Sequence, residues 1–362
     1  MVLGNTGRGG SQTYVMNILR NIDSSRFSID FAVYQDLKNG YGKEIREKGC
    51  KIWIVPQFNI LNYFQCIRAW KTVLENGQYD IIHGHATNAA FIYLKLAKQF
   101  GCKTIVHSHS AGFRGKKIEQ LIKHFFSSKA KQYADYWFSC SEKASKKLYG
   151  SQYKTYKNYY TLPNAINVEK YLFDSAIKTR IIKDNHLENC FVCGHVGSFS
   201  LPKNHKYLLK IFEQILVRNQ SARLLLCGDG PIKKDIDLYI KSHKLDGKVI
   251  LTGNIPNVDE YMMAMDVLIF PSLFEGLPVT IVEAQATGLP IIMSDVITKE
   301  VILTDLVHTM SLDDKPSDWA KKALECSADN RIKYNSIINN SVFNMTKSIQ
   351  TLMNLYEKIR NE

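Results

Sequence analysis

The chain reads as an α/β protein built from two Rossmann-like domains with parallel sheets, and three observations carry that reading. Short apolar runs alternate with helix-period segments through nearly all 362 residues, the rhythm of parallel strands covered by helices. The rhythm breaks once, around Pro163-Asn164-Ala165 and the polar stretch 174–189. Charge changes across that break: residues 1–170 hold 25 Lys and Arg against 11 Asp and Glu, and the rest is balanced to within one charge of a total of +13. A chain of this length is too long for one ordinary core, and about two domains is the expectation.

Taken in order, the strand-like runs are Ile29–Tyr34, Lys51–Val55, Ile81–His83, Lys103–His107, Tyr136–Ser139 and Lys157–Leu162. After the break come Phe191–Val196, Ala222–Cys227, Val249–Leu251, Val267–Phe270 and Pro290–Met293. Between them, segments such as Gln12–Ile22, Leu208–Val217 and Lys233–Ser242 carry apolar residues at helical spacing. Only Met1, Val2 and Leu3 precede the first glycine-rich turn, where a strand of about five residues is usual, so the first strand is expected to be truncated at its start. At the other end Val342, Met345, Ile349, Leu352, Leu355 and Ile359 predict an amphipathic helix. The expected domains are 1–168 and 169–340, with a tail helix over 341–362. Ligands of open parallel sheets bind beyond the carboxyl ends of strands, so a cleft shared by two such sheets is the expected site.

Composition narrows the class. Hydrophobic residues make up 45% and charged residues 22%, as in folded soluble proteins, and no apolar run reaches the ~18 residues of a membrane span. The eight cysteines are scattered among apolar neighbours, which fits a reducing, cytoplasmic setting. Cys190 and Cys193 spell C-x-x-C but open a strand-like run, where residues three apart point to opposite faces; zinc or redox use is not expected. The basic first half can face an acidic substrate, anionic lipid or nucleic acid. No nucleic-acid signature accompanies it. Residues 113–131 mix Lys and Arg with Phe, Leu and Ile at helical spacing, a pattern that suits either an ordinary solvated helix or peripheral contact with an anionic membrane.

The densest chemical signal runs from Phe270 to Ala284, with Glu275-Gly276-Leu277-Pro278 followed by Glu283. A strand enters a short turn, and a helix is expected to start around Pro278, where proline is tolerated. Free amides at that helix start, backed by its dipole, favour a diphosphate or a sugar hydroxyl. Carboxylates accept two-pronged hydrogen bonds from sugar diols, so one Glu can hold a ribose and the other a hexose.

This segment resembles the Glu-x7-Glu motif of retaining glycosyltransferases of the two-Rossmann-domain (GT-B) type, especially family 4 and its bacterial capsule and exopolysaccharide members. Further matching stretches are Gly7-Arg8-Gly9-Gly10, His107-Ser108-His109-Ser110, Ser139-Cys140-Ser141-Glu142, Pro163-Asn164-Ala165-Ile166, Lys203-Asn204-His205, Cys227-Gly228-Asp229-Gly230-Pro231 and Leu251-Thr252-Gly253-Asn254. The resemblance implies a GT-B fold, with acceptor on the first domain, donor on the second, and the tail helix crossing back to the first. It implies that Glu283 binds the nucleotide ribose and that Glu275 faces the donor sugar. The amides of Gly276 and Leu277 would lie near the sugar or diphosphate, Lys203 would neutralise the diphosphate, and Gly9 and Gly10 would line the cleft. A histidine ending the fourth strand contacts the sugar in the family; His109 matches best, with His107 as fallback.

One position departs from the pattern. Gly197-Ser198 stands where the family has Gly-Arg, so a second diphosphate cation is replaced by a hydroxyl, with Arg8 or Lys206 as stand-ins. His83, His85, His107 and His109 could suggest a metal from their alternating spacing, yet no Asp or Cys is near in sequence. No metal or other cofactor is expected, because Lys203 and helix amides can hold the diphosphate. The expected activity is transfer of a hexosyl group, with retention, from a nucleotide sugar such as a UDP-sugar to a glycan or lipid-linked acceptor. The expected place is the cytoplasm or the inner face of the cell membrane. Rival readings are a non-catalytic partner subunit that binds nucleotide sugar and a sugar-nucleotide epimerase of the same fold.

Overall fold

Strands form where β-branched and aromatic residues cluster in short runs, and they pair in parallel because helices cover both sheet faces. In the computed structural model, which describes residues 1–87, 89–109, 129–328 and 330–362, the chain forms two units. One comprises Met1–Ala165 with Met345–Glu362, the other Ile166–Asn344.

The first unit runs β1 (Val2–Asn5), α1 (Gly10–Asn21), β2 (Phe31–Gln35), α2 (Gly42–Glu47), β3 (Ile52–Ile54), α3 (Tyr63–Gly77), β4 (Ile81–Gly84), α4 (Ala90–Gln99), β5 (Lys103–Ser108), β6 (Tyr136–Ser139), α5 (Glu142–Tyr149) and β7 (Tyr159–Thr161). Its parallel sheet has the order β3-β2-β1-β4-β5-β6-β7. Alternate residues of one strand enter different cores, as the period of two requires: Val2 packs with Trp70 and Tyr93, while Leu3 packs with Phe31 and Phe138. Residues 113–128 of the basic stretch lie outside the described residues.

The second unit runs α6 (Ser175–Asp184), β8 (Val192–Val196), α7 (His205–Arg218), β9 (Arg223–Cys227), α8 (Lys233–Ser242), β10 (Val249–Gly253), α9 (Val258–Ala264), β11 (Val267–Phe270), α10 (Val279–Ala286), β12 (Ile291–Ser294), β13 (Val307–Met310), α11 (Pro316–Glu325) and α12 (Ile332–Asn339). Its strand order is β10-β9-β8-β11-β12-β13, again parallel. Leu225 and Leu268 face one core, Leu224 and Ile269 the other. Cys193 lies fully buried in that second core and Cys190 half-buried before β8; both are free thiols.

The last helix, α13 (Met345–Asn361), belongs to the first unit. Met345, Ile349, Leu352, Met353, Tyr356 and Ile359 bury in the core with Leu3 and Ile18. Val342 precedes the helix and stays exposed; Met353 and Tyr356 complete the stripe instead. Among the described residues no helix is long and apolar enough to cross a membrane.

Helix α10 is pinned from behind. The Arg331 guanidinium donates to the carbonyls of Thr287, Met262, Met263 and Met265 at 2.9–3.0 Å, filling helix-end acceptors that would otherwise lack partners. The Gln285 amide donates to Ile281 and Val301 carbonyls and accepts from Leu303 and Thr304 amides. Gly288, at φ +64°, ends the helix where a Cβ would meet the Arg331 carbonyl oxygen at 2.3 Å, so only glycine fits both the left-handed turn and the close approach.

Candidate functional site

Each sheet changes direction of strand order once. In the second unit that reversal lies between β8 and β11, and the crevice beyond the strand ends at such a point is where open parallel sheets bind ligands. The loops that leave these two strands are residues 197–204 and 271–278. They are stitched together by Leu273 N–H to the Pro202 carbonyl, 2.8 Å, and by the Asn204 side-chain amide to the Pro271 carbonyl, 3.1 Å. Asn204 takes φ 56° to start α7, a left-handed conformation that Asn tolerates.

That stitching brings Lys203 to Glu275, Nζ to Oε1 2.8 Å, with the side chains 14% and 15% exposed. The ammonium also lies 4.4 Å from the centre of the Phe270 ring, a cation–π contact. The lysine stem packs close over Gly197, where a Cβ would sit 2.9 Å from Cε of Lys203 and push the side chain aside. Gly228 and Gly230 clear the neighbouring loop: their Cβ atoms would strike the carbonyl oxygens of Gly197 at 2.0 Å and of Phe199 at 2.4 Å. Lys203 and Glu275, far apart in sequence, therefore form one half-buried pair at the switch point.

Helix α10 begins at Val279, with Pro278 as its extended N-cap at ψ 98°, so the proline precedes the first turn. Among the described residues the backbone amides of Gly276 and Leu277 have no hydrogen-bond acceptor, and the space where a Cβ of Gly276 would sit is open. Donors free at the start of a helix, beside a lysine, make an anion-accepting corner.

Glu283 lies on α10 and is half-buried. Burial pushes its carboxyl above the usual range, while a hydrogen bond from Tyr171 and the charge of Lys170 hold it back. The Tyr171 phenol is raised in turn, first by burial and then by Glu283. Lys170 pairs with Asp259 at 2.9 Å. Tyr171, Lys170 and Asp259 were not legible in the sequence: they come from a 3-10 turn and from α9 and meet Glu283 only in the fold.

Ser198 is exposed, its hydroxyl 3.1 Å from that of Ser200. Lys206 is exposed on α7. Behind Lys203, His195 and His205 are fully buried, their rings 4.9 Å apart. Burial, and then the Lys203 charge, lowers His205 to about 4, so both imidazoles are neutral packing groups rather than additional cations.

In the first unit the strand order reverses between β1 and β4. After β1 come Gly9, the N-cap of α1, and Gly10, its first residue, both exposed. Arg8 lies over the Tyr41 ring at 5.5 Å. At the ends of β4 and β5, with His83 and His107 in the strands and His85 and His109 just after them, the four histidines form a stacked cluster, with His83–His85 ring centres at 4.2 Å and His107–His109 at 4.1 Å. Tyr356 hydroxyl meets His83 Nδ1 at 2.7 Å, and His83 Nε2 meets His107 Nδ1 at 3.2 Å. His107 Nε2 and His85 Nε2 are buried without a hydrogen-bond partner among the described residues. His85 Nδ1 meets His109 Nε2 at 2.7 Å. Burial depresses His109 to about 3 and the other three well below the ordinary histidine value. His83, His85 and His107 offer nitrogen atoms within 4.8 Å of one another, and a metal taking one nitrogen of His83 would displace either its bond to His107 or its bond to Tyr356. His109, the predicted sugar contact, is half-buried, with Nε2 bonded to His85 and Nδ1 without a hydrogen-bond partner among the described residues.

Residues 8–170 match the family model described as Glycosyltransferase Family 4, and residues 190–329 the model described as Glycosyl transferases group 1. A protein of Bacillus subtilis (strain 168) named as glycosyltransferase EpsF is 32% identical over 98% of this chain and 95% of its own. The UDP-Gal:alpha-D-GlcNAc-diphosphoundecaprenol alpha-1,3-galactosyltransferase of Escherichia coli is 26% identical over 78% of this chain and 76% of its own. Among solved structures, HepE of Anabaena in complex with UDP superposes with a TM-score of 0.81, covering 99% of both chains at 14% identity.

Proposed function

The chain belongs to glycosyltransferase family 4 and is an enzyme of the GT-B type, and from that premise we propose that it moves a hexosyl group from a UDP-sugar to a lipid-linked glycan in capsular or exopolysaccharide synthesis, with retention at the anomeric carbon. The observation that carries the reading is the Lys203–Glu275 pair at 2.8 Å beside the switch point of the second sheet. One group is suited to a diphosphate and the other to sugar hydroxyls. The Escherichia coli relative is named for a UDP-sugar donor and a diphosphoundecaprenol-linked acceptor, which supports both substrate classes.

In this account the diphosphate takes over Lys203 and the free amides of Gly276 and Leu277, and Ser198 adds one neutral hydrogen bond. Glu275, released from its ion pair, accepts from the hexose hydroxyls. Glu283, oriented by Tyr171, accepts from the ribose diol. His109 accepts a sugar hydroxyl on Nε2 in exchange for its bond to His85, and Gly9 and Gly10 let acceptor or diphosphate approach the backbone of the first unit. The bond from the anomeric carbon to the diphosphate oxygen breaks as the acceptor oxygen bonds to the same face. The acceptor's proton passes to the departing phosphate. Stabilising the charge that grows on the leaving diphosphate is worth roughly 3–4 kcal/mol for one well-aimed donor.

The test is a transfer assay on the purified chain with a panel of UDP-sugars and a diphosphoundecaprenol-linked sugar acceptor, followed by mass and anomeric analysis of the product. Acceptor-dependent UDP release with an α-linked product from an α-linked donor is expected. UDP release accompanied by a new free sugar, without acceptor dependence, would instead favour an epimerase.

A further inference from the structure

The first unit carries an apolar ridge that it does not itself cover. Leaving edge strand β3, the chain makes a one-turn 3-10 helix at Ile60–Asn62 before α3. A reciprocal box fixes that turn. Asn59 Oδ1 accepts from the amides of Leu61 and Asn62 at 3.0 Å each, and Asn62 Oδ1 accepts from the Asn59 amide at 2.8 Å. The result is a rigid display of side chains pointing away from the core: Leu61 is 98% exposed, Ile60 75% and Phe64 74%. The core needs none of them, since α3 buries Cys66, Trp70, Val73 and Leu74 on its other side. Large apolar residues held outward together mark an interaction surface.

The stripe continues as a basic one. Arg68 and Lys71, four and seven residues after Phe64, lie on the same exposed helix face. The first acid on it is Glu75, about three turns along. The unit as a whole holds 27 Lys and Arg against 12 Asp and Glu. A two-fold contact with a second copy through this ridge would bring the two cationic stripes close together, which charge repulsion disfavours. An anionic partner is favoured by the same charges, and an apolar tip followed by cations matches the depth order of a lipid interface.

We propose that the ridge Ile60–Leu61–Phe64, with Arg68 and Lys71 behind it, seats the first unit on an anionic lipid surface. The apolar residues enter the headgroup–acyl boundary and the two cations meet lipid phosphates. The proposal rests on the reading that the acceptor is lipid-linked, and it names a surface separate from the basic stretch at 113–131.

The experiment is vesicle flotation of the full chain, with vesicles of phosphatidylglycerol and phosphatidylcholine in equal parts, or phosphatidylcholine alone. Wild type should float with the anionic vesicles and lose binding as salt is raised. Leu61→Ser with Phe64→Ser should lower partitioning about tenfold or more, from the transfer free energy of two large side chains. Arg68→Gln and Lys71→Gln should each lower it about fivefold, at ~1 kcal/mol per cation near an anionic surface. These positions are exposed, so thermal melts should be unchanged, and UDP-sugar binding measured alongside should be retained. Equal flotation of wild type and all variants would overturn the proposal. So would a concentration-dependent dimer in sedimentation that the Leu61 and Phe64 changes dissolve. If flotation depends on the ridge but no nucleotide sugar binds, the functional reading fails and the docking surface stands; nucleotide-sugar binding with no flotation fails the docking surface alone.

Discussion

Lys203→Gln isolates one charge while keeping most of the side chain's length. In the free protein Nζ sits 2.8 Å from Glu275 Oε1, with both side chains about one-seventh exposed. At that separation the Coulomb attraction is ~6 kcal/mol for an effective dielectric of 20. Desolvation offsets most of it, so losing the cation should cost about 1–3 kcal/mol of stability. The effect on turnover should be larger, because the same cation faces the leaving diphosphate. Removing one well-aimed donor costs roughly 3–4 kcal/mol, or about 10²–10³ in kcat. Lys203→Arg keeps the charge and should recover part of that loss. Recovery should be incomplete, since a planar guanidinium cannot reproduce an ammonium placed 2.8 Å from Glu275 Oε1 and 4.4 Å from the Phe270 ring centre. Steady-state UDP release gives kcat and KM, and urea melts give the stability change. If Lys203→Gln keeps kcat within about threefold of wild type, where the electrostatic argument demands about a hundredfold, the role given to this lysine is wrong.

Ser198→Arg places a second cation at an exposed loop position with no core to disturb; kcat should rise about tenfold, the worth of one charge-assisted contact, and an unchanged rate would show that the site does not lack a cation. Glu283 must be ionised to accept from a ribose diol, so donor affinity should fall with falling pH at values above the ordinary carboxylate range, and Tyr171→Phe, which deletes the bond holding that carboxyl down, should move this acid limb upward in a KM profile. For stability the sign is opposite. The raised carboxyl contributes stability below its ordinary value of 4.5 and loses it as pH rises through its folded value. The buried histidines act the other way: His109, at about 3 in the fold against 6.5 unfolded, contributes stability above pH 6.5 that is lost on acidification toward 3. Each such histidine should add about 1.4 kcal/mol per pH unit to the slope, and His109→Gln should remove close to one such increment in melts taken across that range. Arg331→Ala strips four helix-end carbonyls of their donor and should cost about 2–4 kcal/mol, read by chemical denaturation.

Much of this molecule was legible from one dimension because parallel strands buried on both faces are written as dense apolar runs. Tyr136–Ser139 and Val267–Phe270 fall where their patterns end. β13, at Val307–Met310, escaped notice because an edge strand is half-exposed and its residues mix types. The Glu275 segment was visible because strand, turn and helix follow one another within fifteen residues. Its partners were less so. That Lys203 reaches Glu275 depends on a left-handed Asn204 and on two hydrogen bonds between loops about seventy residues apart. Tyr171 announces nothing in its neighbourhood; only packing of its turn against α10 makes it a partner of Glu283. The four histidines showed their alternation in sequence, but their mutual hydrogen bonds, and hence how far His109 is already engaged, required the strands to be adjacent.

Every role proposed for Lys203, Glu275 and Glu283 depends on nucleotide-sugar recognition by the second unit. The measurement is a thermal-shift titration of the full chain with UDP and a panel of UDP-sugars, repeated on Glu283→Gln and Lys203→Gln. A saturable stabilisation of the native chain is predicted, about 2.7 kcal/mol at a hundredfold excess over Kd, weakened at least tenfold in Kd by each substitution. Absence of any shift with every nucleotide tried, or equal shifts in wild type and both variants, would contradict it.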